Sequence, residues 1–244
     1  MSYADRQLPE SNELFLDHIA HFVPDMAAAG AALEGLGYRL TPFTHQQNSL
    51  KPGEKPVPPL NLVGDFGGGA LYLAMGMLAA LVEAQRSGKG QVVDAAMTDG
   101  ATSLMAMFYG FTASGMWQEP HGTNMLDGGA HFYDTYETAD GKHVAVGCLE
   151  PQFFAEFARL LPLEERLAAR QYDISLWGEM RQAIAARIVE KTRDEWAAIY
   201  EGTDACVAPV LSFTEAPDHP HNSARATFID KEGLTRPAPA PRFS

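Results

Sequence analysis

The chain has 244 residues, with 18 Lys+Arg against 31 Asp+Glu and a formal net charge of −13. An apolar fraction of 46% beside 20% charged residues excludes wholesale disorder and allows one large domain or two small ones. The acidic balance, without a basic stripe, excludes nucleic acid as the main partner, because phosphate binding depends on clustered Lys and Arg.

The longest apolar run, Ala70 to Val82, has 13 residues, below the roughly 20 a spanning helix needs, so no membrane is expected. The first ten residues lack the basic and apolar regions of a signal peptide. Cys148 and Cys206 have no CxxC partner, which suits a reducing, cytoplasmic setting and offers no disulfide framework or structural zinc site.

Along the chain, residues 14–23 read as a strand and Met26 to Leu36 as a short Ala-rich helix closed by Gly37. Tyr38 to Thr41 starts another extended piece, completing a βαβ-like unit. Four prolines between Pro52 and Pro59 make residues 51–60 a linker. Next, Gly64-Asp65-Phe66-Gly67-Gly68-Gly69 reads as a glycine loop ahead of a helix from Ala70 to Arg86 that ends at Ser87-Gly88. Gln91 to Ala95 reads as a short strand, and Thr98 to Ser114 as a second apolar helix.

Residues 121–130 are a loop by composition. A hairpin follows, Phe132 to Glu137 and His143 to Gly147 about an Asp140-Gly141 turn. Pro151 starts a helix reaching Leu160. Ser175 to Lys191 and Thr192 to Tyr200 form two more helices, the second with the capping-box spacing Thr192 to Glu195. Cys206 to Leu211 reads as a short buried strand, and the tail with Pro237, Pro239 and Pro241 as an extended arm. The resulting fold class is mixed, α+β with α/β character. Its division is a βαβ-like fragment over 1–50, the linker 51–60, a helical part over 61–120, a small domain over 121–215 and an arm over 216–244.

Asp65 is the first candidate for chemistry. A carboxylate at a helix start lies beside backbone N–H groups that face an approaching anion, and the glycines let a substrate come close to the main chain. The same pattern is also that of a helix cap. Glu150, between a strand and Pro151, is either a working carboxylate or a favourable charge on a helix dipole. Asn124, Asp127 and the Gly128-Gly129 pair form a polar loop that is either a binding wall or a plain turn. His18 and His21 are three apart on a strand and face opposite sides, so one of them at most serves a metal, and a structural role is the alternative. Asp94 and Asp99 bracket a helix start and read as caps.

Three long runs change these weights: KPVPPLNLVGDFGGGALYLAMGMLAALVEAQRSGKGQVVDAAMTDG, NMLDGGAHFYDTYETADGKHVAVGCLEPQFF, and DACVAPVLSFTEAPDHPH with PAPRFS. Over residues 55–244 they resemble the α-methylacyl-CoA racemases within the family III CoA-transferase superfamily. The resemblance implies a partial fold of that family, linker helices plus small domain, acting on 2-methyl-branched acyl-CoA thioesters. Coenzyme A enters as part of the substrate, and no separate cofactor is implied. The α-proton leaves one face and returns on the other, which needs two acid–base groups and stabilisation of the enolate oxygen. Asp65 matches the family's catalytic aspartate and Glu150 the glutamate that supports its histidine. Gly67 and Gly68 would assist the enolate through helix N-terminal N–H groups, and Asn124 and Asp127 would line the substrate.

The family's histidine has no counterpart here: about thirty residues before Asp65 stand Glu34 and Gly35, and His45 lies in a run unlike that motif. Residues 14–48 instead resemble the first βαβ unit of a glyoxalase-like module, in which His18 would match a metal ligand. The sequence thus predicts a truncated, impaired racemase-like isomerase. Two alternatives stay open: a CoA-transferase with Asp65 as nucleophile, or a non-catalytic remnant. The resemblance further implies a homodimer or pairing with a full-length relative.

Overall fold

The computed structural model describes residues 60–243, which divide into two compact units, one ending at Glu119 and one beginning at Pro120. The expected strand at 14–23, the helix at 26–36 and His18 lie outside the described residues.

In the first unit the glycine segment is not a loop. It is wound into helix α1, Leu62–Ser87, whose first ten residues, Leu62–Leu71, are a π-helix that passes into an α-helix over Tyr72–Ser87. Its far end is as expected: Gly88 takes the left-handed conformation at φ 72° and its N–H donates to the Ala84 carbonyl at 2.9 Å. Helices α2, Met97–Leu104, and α3, Ala106–Ala113, replace the single helix expected from Thr98 to Ser114. The break falls at Met105, whose N–H turns to the Thr102 carbonyl at 3.0 Å, just after Thr102 Oγ1 bonds back to Thr98. The expected strand at Gln91–Ala95 does not form, as those residues find no neighbouring strand among the described residues.

α1 is held to α2 through glycine. A Cβ on Gly68 would lie 2.5 Å from the Ala101 nitrogen, and one on Gly100 would lie 1.8 Å from the Gly68 carbonyl oxygen. The two backbones therefore touch, a contact open only to residues without side chains. The rest of α1 is apolar and exposed, with Leu71, Met75, Leu78 and Leu81 all outward. At 26 residues α1 is, by length and composition, long and apolar enough to cross a bilayer, so the 13-residue run understates its length. The same length and composition occur in helices of soluble proteins and assign no membrane by themselves.

The second unit is built on a three-stranded antiparallel sheet in the order β1 (Tyr133–Glu137), β2 (His143–Gly147), β3 (Val207–Pro209). The β1–β2 hairpin turns at Gly141, φ 71°, as the Asp140-Gly141 pair predicts. β3 is shorter and more open than the buried strand expected over Cys206–Leu211, because Ala208 faces out and only three residues pair with β2. Around the sheet lie α4 (Pro151–Leu160), a short α5 (Glu165–Ala168), α6 (Trp177–Ile188) and α7 (Arg193–Tyr200). Val144 and Val146 of β2 point inward to meet Phe154, Phe157, Met180, Ile184, Ile188 and Trp196 in one apolar core. The capping box at α7 is present in both directions between Thr192 and Glu195.

The C-terminal arm is not simply extended. It carries a short helix α8, Pro220–Ala224, and a second hairpin of β4, Phe228–Lys231, with β5, Leu234–Pro237. Glu232 and Gly233 supply positive φ at both turn positions. Pro237 is tolerated because it ends its strand.

Candidate active site

Asp65 sits half-buried in the first turn of α1, not ahead of it. The helix ladder opens with Phe66 N–H on the Asn61 carbonyl at 3.2 Å, five residues back. In such a ladder the amides of Gly67, Gly68 and Gly69 are spent within the helix. The expectation that these three present N–H groups to an enolate is corrected accordingly. Gly68 is buried on Ala101, so its lack of a side chain serves the approach of α2 rather than of a ligand. The N-cap of α2 is Ala96, and Asp99 lies in its first turn rather than at its cap.

Glu150, Asn124 and Asp127 lie on the second unit. Glu150 is the N-cap of α4 in an extended conformation, φ −78° and ψ 144°. Its carbonyl accepts from Phe153 and Phe154, but its carboxylate caps nothing and is exposed to solvent. The turn carrying it is fastened by residues the sequence reading missed. Gln171 Nε2 donates to the carbonyls of Cys148 at 2.8 Å and Leu149 at 2.9 Å, and the Tyr172 hydroxyl donates to Leu149 at 2.5 Å. Replacing Gln171 with Leu leaves the Cys148 carbonyl without that donor, while Leu149 keeps Tyr172, at about 1–3 kcal/mol. A lowered Tm with faster amide exchange at Leu149–Gln152 is the expected result, and an unchanged Tm contradicts it.

The thiols nearby are not nucleophiles. Burial pushes Cys148 up to about 12, and burial followed by the charge of Glu150 also raises Cys206, so neither is a thiolate at neutral pH. Among the described residues no cluster of His, Cys, Asp and Glu is arranged to hold a metal ion.

Asp127 organises its own loop. Oδ1 accepts from Asn124 N–H at 2.8 Å and Gly129 N–H at 3.1 Å; Oδ2 accepts from Gly122 N–H at 2.9 Å and Asn124 Nδ2 at 2.7 Å. The structure thus joins Asn124 and Asp127, and gives the carboxylate of Asp127 to the main chain. Asn124 is itself buried.

Residues 29–244 match the model of CoA-transferase family III. The chain belongs to CoA-transferase family III. The match takes in residues 29–48 of the stretch expected to resemble a glyoxalase-like module, and lends that expectation no support; His18 lies before it. Among its relatives the family III chain is 48% identical over 195 residues to "Alpha-methylacyl-CoA racemase" of Mus musculus, covering 80% of this chain and 51% of that protein. It is 45% identical over 192 residues to the Homo sapiens protein of the same name, covering 78% and 50%. "Succinyl-CoA--L-malate CoA-transferase alpha subunit" of Chloroflexus aurantiacus is 30% identical over 224 residues, 90% of this chain and 45% of that one. The chain spans about half the length of the curated relatives it matches. In fold it is like a CAIB/BAIF family protein from Brucella suis, with a TM-score of 0.63 at 21% identity over 88% of this chain and 56% of the other. The architecture is therefore a mixed α/β, mostly helical, partial version of the family III fold.

Proposed function

We propose that this chain carries the aspartate half of an α-methylacyl-CoA racemase-type site, acting on 2-methyl-branched acyl-CoA thioesters. The observation that carries this reading is the family membership with two racemases at 48% and 45% identity, together with Asp65 seated at the mouth of α1. In this reading Asp65 takes and returns the α-proton on one face of the substrate. An α-proton beside a thioester is weakly acidic, so the enolate oxygen needs donors in place. Glu150, exposed on its fastened turn, is the family's supporting carboxylate. In this reading the family's opposite-face histidine is not assigned to any of residues 1–244, and racemisation by this chain is expected to be low. We place its action in the cytoplasm, on acyl-CoA as a small-molecule substrate, and in a homodimer or beside a longer relative.

The test is washout of the α-hydrogen of 2-methylacyl-CoA in deuterated water, for the protein and for Asp65→Asn and Glu150→Gln. Exchange is expected to fall about 10²–10⁴-fold in Asp65→Asn, the scale of one lost acid–base group. Glu150→Gln is expected to lose less. Equal exchange in all three proteins contradicts the proposal. A second reading is favoured by the Chloroflexus relative: a CoA-transferase whose aspartate becomes a mixed thioester with CoA, which requires Asp65 alone. A CoA adduct on Asp65, seen by mass spectrometry of the protein quenched with acyl-CoA, would move the ranking to that reading.

A further inference from the structure

Asp127 closes the loop Gly122–Gly129 from within, but α6 fastens it from outside. Arg181 Nη2 donates to the carbonyls of Gly128 and, at 2.7 Å, Gly129, while its Nε donates to Asp134 Oδ2 on β1 at 3.0 Å. One guanidinium thereby ties two successive carbonyls to the first strand. The carbonyls converge because Gly128 has φ 84°, a backbone setting that favours glycine. The loop has no slack on its other side: a Cβ on Gly129 would lie 2.4 Å from the Asn124 nitrogen and 2.5 Å from its oxygen. Asn124, Asp127 and Arg181 therefore form one fastened object, with Arg181 reaching it from about fifty residues further along the chain.

We propose that Arg181 is the positioning residue of the Gly122–Gly129 loop, holding it in the shape that receives the acyl-CoA thioester. This rests on the function proposed above. A planar fork with donors at fixed angles meets two carbonyls and a carboxylate together, which a lysine ammonium on a flexible stem does not. Losing it frees the loop to move, and a displacement on the scale of an ångström is costly to a bound, reacting substrate.

The experiment compares the protein with Arg181→Met and Arg181→Lys by amide hydrogen exchange and by calorimetric titration with 2-methylacyl-CoA. In Arg181→Met the 121–130 peptide is expected to exchange about tenfold faster and the Kd to rise about tenfold. The α4 peptide, 151–160, reports on overall stability and is expected to stay unchanged. Arg181→Lys is expected to recover part of both effects, and millimolar ethylguanidinium to restore binding to Arg181→Ala. Unaltered loop exchange in Arg181→Met overturns the proposal, as does a loosened loop with unaltered affinity. If Arg181→Met loosens the loop but the unsubstituted protein takes no acyl-CoA, the function proposed above fails while the fastening stands.

Discussion

Replacing Gly100 with alanine is expected to disrupt the first unit. The new methyl would sit 1.8 Å from the Gly68 carbonyl oxygen and 2.7 Å from its carbon, and both are main-chain atoms that no rotamer change moves aside. Either α1 and α2 separate or the π-helical turn unwinds. Overpacking of a tight site costs typically about 1–3 kcal/mol, and a clash with backbone belongs at or above about 3 kcal/mol. Gly110 is the control. It lies in α3, and a methyl added there would meet nothing within 4 Å, so Gly110→Ala is expected to gain up to about 1 kcal/mol from helix propensity alone. Urea denaturation of the two variants checks the contrast; equal stabilities contradict it. Because Asp65 stands three residues before Gly68 in that turn, Gly100→Ala is also expected to lower α-proton exchange.

Acid is expected to weaken the second unit through one side chain. His131 is fully buried against Phe132 and Phe154, and among the described residues neither ring nitrogen has a hydrogen-bond partner. Burial first, then the positive charge of Arg181, lowers its pKa from 6.5 to about 4. The unfolded chain therefore binds a proton below about 6.5 that the native state refuses until about 4. The stability from a neutral His131 is present in full above pH 6.5, is lost progressively as the pH falls from about 6.5 to about 4, and falls no further below that. By linkage the loss amounts to about 3 kcal/mol at pH 4. His131→Phe keeps an aromatic ring, removes two unpaired polar atoms and removes the titration. Its stability is expected to fall less between pH 7 and pH 4 than that of the unsubstituted protein. Parallel pH profiles for the two proteins would contradict this.

Local signals in the sequence predicted the local structure. The Asp140-Gly141 turn, Pro151 at the start of α4, the Thr192–Glu195 capping box and Gly88 at the end of α1 all work within a few residues and appear where expected. What was illegible depends on distant partners. Asp and Gly at 64–69 have the composition of a loop, and become helical where α2 receives them at Ala101. Three prolines hid the β4–β5 hairpin, although Glu232-Gly233 marks its turn. The candidate site divides the same way. Asp65, Glu150, Asn124 and Asp127 stand in recognisable runs, whereas the residues that fasten their surroundings do not. Gln171 reaches back 22 and 23 residues and Arg181 reaches back as many as 53, and no pattern in the sequence joins those positions.

The most direct measurement is the stereochemical course of proton exchange. Each pure enantiomer of a 2-methylacyl-CoA is incubated with the protein in deuterated water, and both deuterium content and chirality are followed. With Asp65 as the acid–base group on one face, the protein is expected to exchange the α-hydrogen of one enantiomer and return it with its configuration kept, and Asp65→Asn to lower that exchange about 10²–10⁴-fold. Inversion of both enantiomers at equal rates, or exchange undiminished in Asp65→Asn, would contradict that one-face assignment of Asp65.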